Sequence, residues 1–234
     1  MSLFSRRIAY DRKRILDEAE RLRGGWRWRR ALELYRQILA AEPHNAEIHF
    51  RAAPLLARSG RPFEAWQSFR AAAARLKDDR ASRLALHRQA VQALPRSFEA
   101  CRALARAEIR DREPDRACQT LLEGSRRLRG RRSRGEAIVL LRDAREIDAW
   151  RPETVLSLCR LLARDGQPAE ALFLLDQLDE RVADEEDRLR ARALAWRIEP
   201  SLRHTWRWLR ARRAHGARRD AAPAVPERSA RHTA

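Results

Sequence analysis

Lysine is nearly missing from this sequence. Lys13 and Lys77 are the only two among 51 basic residues, so the cationic surface is almost entirely arginine. Glycine (8) and proline (10) are scarce in 234 residues, and no run of alternating β-branched residues suggests a sheet. The three cysteines, Cys101, Cys118 and Cys159, are odd in number, far apart and without a CxxC. That argues against a disulfide framework or a thiolate metal site and for reduced core thiols in a cytoplasmic protein. Long apolar runs are missing as well. Ala137-Ile138-Val139-Leu140-Leu141 falls far short of the ~20 apolar residues a spanning helix needs, and Met1 to Arg7 leads into charged sequence without the apolar core of a secretory signal.

Catalytic signatures are lacking too. His44, His49, His87, His204, His215 and His232 are scattered, with no HExxH and no spacing suited to zinc. There is no GxxxxGK[ST], no GxGxxG and no GxSxG. Acidic pairs such as Glu185-Glu186 sit at a helix start, where the macrodipole favours negative charge. The expectation is a chain without enzymatic activity, cofactor or metal.

What is present is helix-forming material rich in leucine, alanine, arginine and glutamate. The formal net charge of +18 and pI of about 11.4 suit a nucleic acid, an anionic membrane face or an acidic protein as partner. Arginine in place of lysine looks like GC-rich coding bias. That bias does not account for 51 basic residues against 33 acidic ones.

The chain is organised around Gly24 to Pro43, which reads as one amphipathic helix with Ala31, Leu34, Tyr35, Ile38 and Leu39 on one face. A preceding helix over 6–23, with Ile8, Ile15, Ala19 and Leu22 on its face, can pack on it. The order of alanine, an aromatic four residues on, an apolar residue three further and then a proline resembles the second helix of a tetratricopeptide repeat. The triplet returns at Ala65, Phe69, Ala72; at Ala117, Leu121, Gly124; at Ala137, Leu141, Ala144; and at Ala171, Leu175, Leu178. Degraded copies stand at Arg83, His87, Ala90 and at Thr205, Leu209, Arg212. Ala65 lies 34 residues after Ala31, and steps of 34 also join Arg83 to Ala117, Ala137 to Ala171 and Ala171 to Thr205. The two other steps, 18 and 20 residues, are one helix plus a turn, so the array has gained or lost a single helix at each. Twelve residues before an anchor stands a small residue, Ala19, Ala53, Ala105, Cys159 or Ala193, where paired helices of the family cross.

The resemblance implies an all-α, right-handed α-solenoid of tetratricopeptide-like helix pairs with two single-helix irregularities, of the bacterial helical-adaptor type. The expected organisation is a flexible 1–5, a repeat domain over 6–213 with about a dozen helices and a hinge at 124–135, and a basic disordered tail over 214–234. Pro54, inside a first helix, should kink that helix or delay its start. The family lines its concave groove with first helices, which projects Arg23, Arg58, Arg102, Arg106, Arg110, Arg160, Arg164, Arg190 and Arg197 inward beside Glu20. Arginine's planar fork suits carboxylate or phosphate, so the groove is expected to hold a protein partner or acidic peptide. The competing reading is that these arginines are solvated faces paired with neighbouring Glu and Asp.

The second functional reading is a nucleic-acid-associated protein, in which Arg126, Arg127, Arg129, Arg131, Arg132 and Arg134, with Arg207 and Arg210, contact phosphates. Trp26-Arg27-Trp28 and Trp206-Arg207-Trp208 add aromatics to that reading. Neighbours two apart on a helix diverge by about 200°, so one tryptophan of each pair is expected in the core and its mate outside. No membrane insertion is expected. The composition leaves the oligomeric state open.

Overall fold

The computed structural model describes residues 11–76, 79–128 and 130–221. The expected flexible 1–5, Ile8, Arg129 and the end of the expected tail from 222 fall outside them. Among the described residues the regular elements are twelve α-helices. They are α1 (Arg12–Gly24), α2 (Trp28–Ala41), α3 (Ala46–Arg58), α4 (Pro62–Arg75), α5 (Arg80–Ala93), α6 (Phe98–Arg110), α7 (Pro114–Arg127), α8 (Arg134–Ile147), α9 (Pro152–Arg164), α10 (Pro168–Arg181), α11 (Glu185–Ile198) and α12 (Leu202–Ala221). No helix among these residues is long and apolar enough to cross a membrane.

The fold is an all-α solenoid of helix pairs, α1/α2, α3/α4, α6/α7 and α9/α10, interrupted by the single helices α5 and α8. Each of these pairs is built alike. The first helix has 13 residues and the second 14. Three first helices open on a side-chain cap, where Asp11, Asn45 and Ser97 accept from backbone N–H groups that would otherwise lack a partner. Second helices have no such cap, and three of them start with proline, Pro62, Pro114 and Pro168. Proline's fixed φ and missing N–H suit that position. Between the two helices the chain reverses through one residue with left-handed backbone, always two positions before the second helix: Trp26 (φ 64°), Gly60 (75°), Arg112 (62°) and Gly166 (82°).

Packing follows the same register. Ala19, Ala53, Ala105 and Cys159 take the eighth place of the first helices, and Ala31, Ala65, Ala117 and Ala171 the fourth of the second; all are buried. These small side chains let the helices of a pair approach closely. Tyr35, Phe69, Leu121 and Leu175, four residues on, are buried as well. Burying each contributes roughly 1.5–3 kcal/mol.

The two short steps each add one helix. From Ala65 to Ala117 the chain spans a full repeat plus α5, and from Ala117 to Ala171 a full repeat plus α8. The helix α11 enters on a capping aspartate, Asp184, as α5 enters on Asp79. It also packs on α9 as α5 packs on α3. Ala193, expected as a fifth crossing residue, is accordingly only half-buried, and Ala191, Leu194 and Ala195 are the residues α11 buries.

Packing divides the chain into two units, 1–140 and 141–234, with the boundary inside α8. In the first, neighbouring helices from α1 to α7 pack in chain order, and α3 also touches α5. In the second, α10 lies against α9 and α11, and α11 against α12. Three local expectations read differently here. The helix α3 starts on time at Ala46 and runs through Pro54, because Ala52, Ala53, Leu55 and Leu56 are buried on both sides of it. Gly124 is a packing residue inside α7, where an added Cβ would stand 2.8 Å from the Cys101 sulfur. The helix α12 continues past residue 213 to Ala221, through arginines and alanines that favour helix.

Candidate functional site

The first unit holds a cleft of about 380 Å³ between α3 and α5, lined by Ala46, Glu47 and Phe50 of α3, Ser82, Ala85, Leu86 and Gln89 of α5, and Ala72 and Leu76 below. It exists because α5 stands beside α3, the neighbour a first helix would have in a regular array. Asp79 fixes the entry of α5 by accepting the Ser82 N–H at 2.9 Å, and hydrogen bonds from Ser82 hold its carboxyl below the usual range. Phe50 is partly exposed in the wall. Sequence reasoning missed this cleft, since the side-by-side placement of α3 and α5 leaves no mark in either helix.

A polar network joins α1, α2 and α3. Glu20 accepts from the Tyr35 hydroxyl at 2.6 Å and the Arg51 guanidinium at 2.5 Å, and pairs with Arg23 at 2.6 Å. Burial pushes the Glu20 carboxyl up, but the Tyr35 and Arg51 hydrogen bonds and the Arg23 charge outweigh it and hold it low. Burial, with Glu20 alongside, raises the Tyr35 hydroxyl. Arg51 also holds Glu47 at 2.6 Å, and Arg12 lies 3.4 Å from the same carboxylate. Glu47 is therefore neutralised where it meets the cleft.

The projected groove arginines have varied surroundings. Arg58, Arg110 and Arg164 are the last residues of α3, α6 and α9, where cations complement the helix dipole. Arg23 is paired with Glu20, and Arg190 with Glu186 and Asp187 of its own helix. Arg102 lies over the Phe98 ring. Arg106, Arg160 and Arg197 are exposed. Arg110 faces His87, whose ring burial, Arg83 and Arg110 keep below its usual pKa; its Nδ1 is buried without a hydrogen-bond partner.

Of the projected phosphate contacts, Arg126, Arg131 and Arg132 are exposed and Arg134 opens α8. Arg127 is paired with Glu123 at 3.3 Å. Arg207 is held by Asp176 at 2.7 Å and Asp179 at 2.9 Å, while Arg192 takes both oxygens of Asp179 at 2.9 Å. This clasp ties α12 and α11 to α10. Arg210 lies over Trp206.

In each tryptophan pair one ring is more sheltered than its mate, but neither reaches the core as expected. Trp28 is half-buried while Trp26 is 80% exposed; Trp208 stacks on Trp196 at 5.3 Å while Trp206 is 63% exposed. Among the described residues no group of three or more His, Cys, Asp or Glu is placed to hold a metal ion.

Residues 128–195 match the family model for the tetratricopeptide repeat. A search of curated proteins finds no match. Solved structures of similar form include tetratricopeptide-like repeats of a kinesin light chain from Podosopora anserina, at 18% identity over 76% of this chain and 97% of that one, TM-score 0.46. Another is pilF of Pseudomonas aeruginosa, at 16% identity over 92% and 93%, TM-score 0.38. A third is PilW, a type IV pilus biogenesis factor, at 15% over 88% and 94%, TM-score 0.35. The matched stretch falls on α8 to α11, and over these residues the chain is similar to the tetratricopeptide repeat.

Proposed function

We propose that this chain is a non-enzymatic cytoplasmic scaffold that holds a partner protein or acidic peptide along the groove of its first helices. The cleft between α3 and α5 carries this reading. It is mostly apolar, its one carboxylate is already neutralised, and it is large enough to seat one or two apolar side chains of a partner segment. Exposed arginines on the same class of helix, Arg106 and Arg160, supply the charge that an acidic segment needs.

The test is capture from native lysate with and without nuclease, comparing wild type with Phe50→Glu and with Arg102→Glu/Arg106→Glu/Arg160→Glu. A protein retained after nuclease and lost with both variants supports the groove. Retention by both variants refutes it. The second reading, a nucleic-acid-associated protein, draws on the exposed Arg131 and Arg132 and on the Arg210–Trp206 stack. Binding through those groups weakens steeply with salt, whereas an apolar cleft contact does not.

A further inference from the structure

Trp26 has the least expected backbone in the molecule. The position it fills, two before a second helix, is glycine in two of the other three pairs. A bulky residue at φ 64° sits against steric preference, yet its ring, 80% exposed, gains little burial in return. Around it the charge is one-sided. The Arg58 guanidinium lies 5.9 Å from the centroids of both Trp26 and Trp28, and Arg29 lies 5.2 Å from Trp28. Arg27 and Arg30 complete the rim of an open cleft of about 410 Å³. Among the described residues Arg27, Arg29, Arg30 and Arg58 make no ion pair, and the first turn of α2 has no acidic residue.

The other tryptophan-arginine-tryptophan run provides an internal control. There the central Arg207 is neutralised by Asp176 and Asp179, and Trp208 is stacked on Trp196. Among the described residues the run at 26–28 has neither a carboxylate paired with its arginines nor an aromatic ring stacked on Trp26.

We propose that Trp26, Trp28 and the four arginines around them form a binding site for single-stranded nucleic acid. Four guanidiniums without an ion pair among the described residues call for an anion, and an exposed indole calls for a flat π-face. A nucleotide strand presents both in every residue, phosphate to arginine and base to ring. An acidic peptide would satisfy only the arginines, and a duplex keeps its bases stacked on each other. This site is separate from the α3/α5 cleft and does not rest on the groove reading.

The test uses the full chain, a fluorescently labelled twelve-nucleotide oligo-dT, a duplex of equal length and poly-L-glutamate, with wild type and Trp26→Gly. Glycine suits the left-handed turn and leaves the charge unchanged, so the substitution removes the ring without disturbing the fold or the non-specific attraction of a basic protein. The expected result is a roughly 5- to 150-fold loss of oligo-dT affinity, with thermal stability equal to or above wild type. Arg29→Gln/Arg30→Gln is expected to make the logarithmic salt slope shallower by about 1.4, at about 0.7 per phosphate contact. Unchanged oligo-dT affinity in Trp26→Gly overturns the proposal, as does a fall in its melting temperature, which would make the ring structural. Poly-L-glutamate or duplex binding as tight as oligo-dT overturns it as well.

Discussion

Gly124→Ala tests how closely α6 and α7 approach. An added Cβ would stand 2.8 Å from the Cys101 sulfur, 3.1 Å from the Cys101 Cβ and 3.1 Å from Leu140 Cδ1. Cys101 and Leu140 are both buried, so neither can move aside without displacing its own neighbours. Overpacking of this kind costs about 1–3 kcal/mol, while replacing a mid-helix glycine by alanine returns about 0.5–1 kcal/mol. Taking the middle of each range, the net expectation is a loss of about 1 kcal/mol, read as a lower urea midpoint by far-UV circular dichroism. Hydrogen exchange should accelerate first in α6 and α7. Cys101→Ala removes the nearest atom, so it should cost less in the Gly124→Ala background than alone, with a coupling of about 1 kcal/mol. A Gly124→Ala protein as stable as wild type, or equal costs of Cys101→Ala in both backgrounds, would refute the close approach.

Arg112→Gly should raise the urea midpoint by the equivalent of about 1 kcal/mol, because glycine adopts its left-handed turn without the steric cost that arginine bears; no gain would mean the turn is unstrained. Burial first, then Arg83 and Arg110, hold the His87 ring below the ordinary histidine pKa of about 6.5. The unfolded chain therefore takes up that proton first as pH falls, and stability drops below pH 6.5. The drop in urea midpoint between pH 7 and 5 should be smaller in His87→Gln, and equal drops would exclude this histidine as a source. Asp179→Asn should cost about 1–3 kcal/mol, less than a fully buried pair because Arg192 and Arg207 are each about one-third exposed. Its signature is faster hydrogen exchange in α12 and a weakened near-ultraviolet signal from Trp196 and Trp208, and exchange confined to α10 would contradict the clasp.

The repeat was legible because its signals are local. The small residues Ala19, Ala53, Ala105 and Cys159, and the anchors Ala31, Ala65, Ala117 and Ala171, recur at fixed places within a helix, and a crossing that tolerates only a small side chain writes itself into the sequence. The single helices were legible only as broken spacings. Arg83 stands at the fourth place of α5, where the second helices carry a small anchor, and α5 has no paired first helix to cross there. The cleft escaped for a related reason. Its walls come from α3 and α5, and neither helix has a pattern that announces the space between them.

The two tryptophan-arginine-tryptophan runs set the limit of such reading. Helical geometry separates Trp206 from Trp208 within α12, whereas Trp26 is turned away from Trp28 by the left-handed turn before α2, and neither Trp28 nor Trp208 reaches the core. Whether the arginine between them is free depends on carboxylates from another helix. For Arg207 these are Asp176 and Asp179 of α10, brought in by packing. Around Arg27 the cleft is lined by Trp26, Trp28, Arg29 and Arg30, with Arg58 over both rings, and none of these brings a carboxylate. Identical tripeptides thus become a clasp in one unit and an open cationic-aromatic face in the other. The difference lies in what tertiary structure delivers to each arginine, so charge compensation across helices, rather than arginine count, is the quantity that separates structural from available cations in this chain.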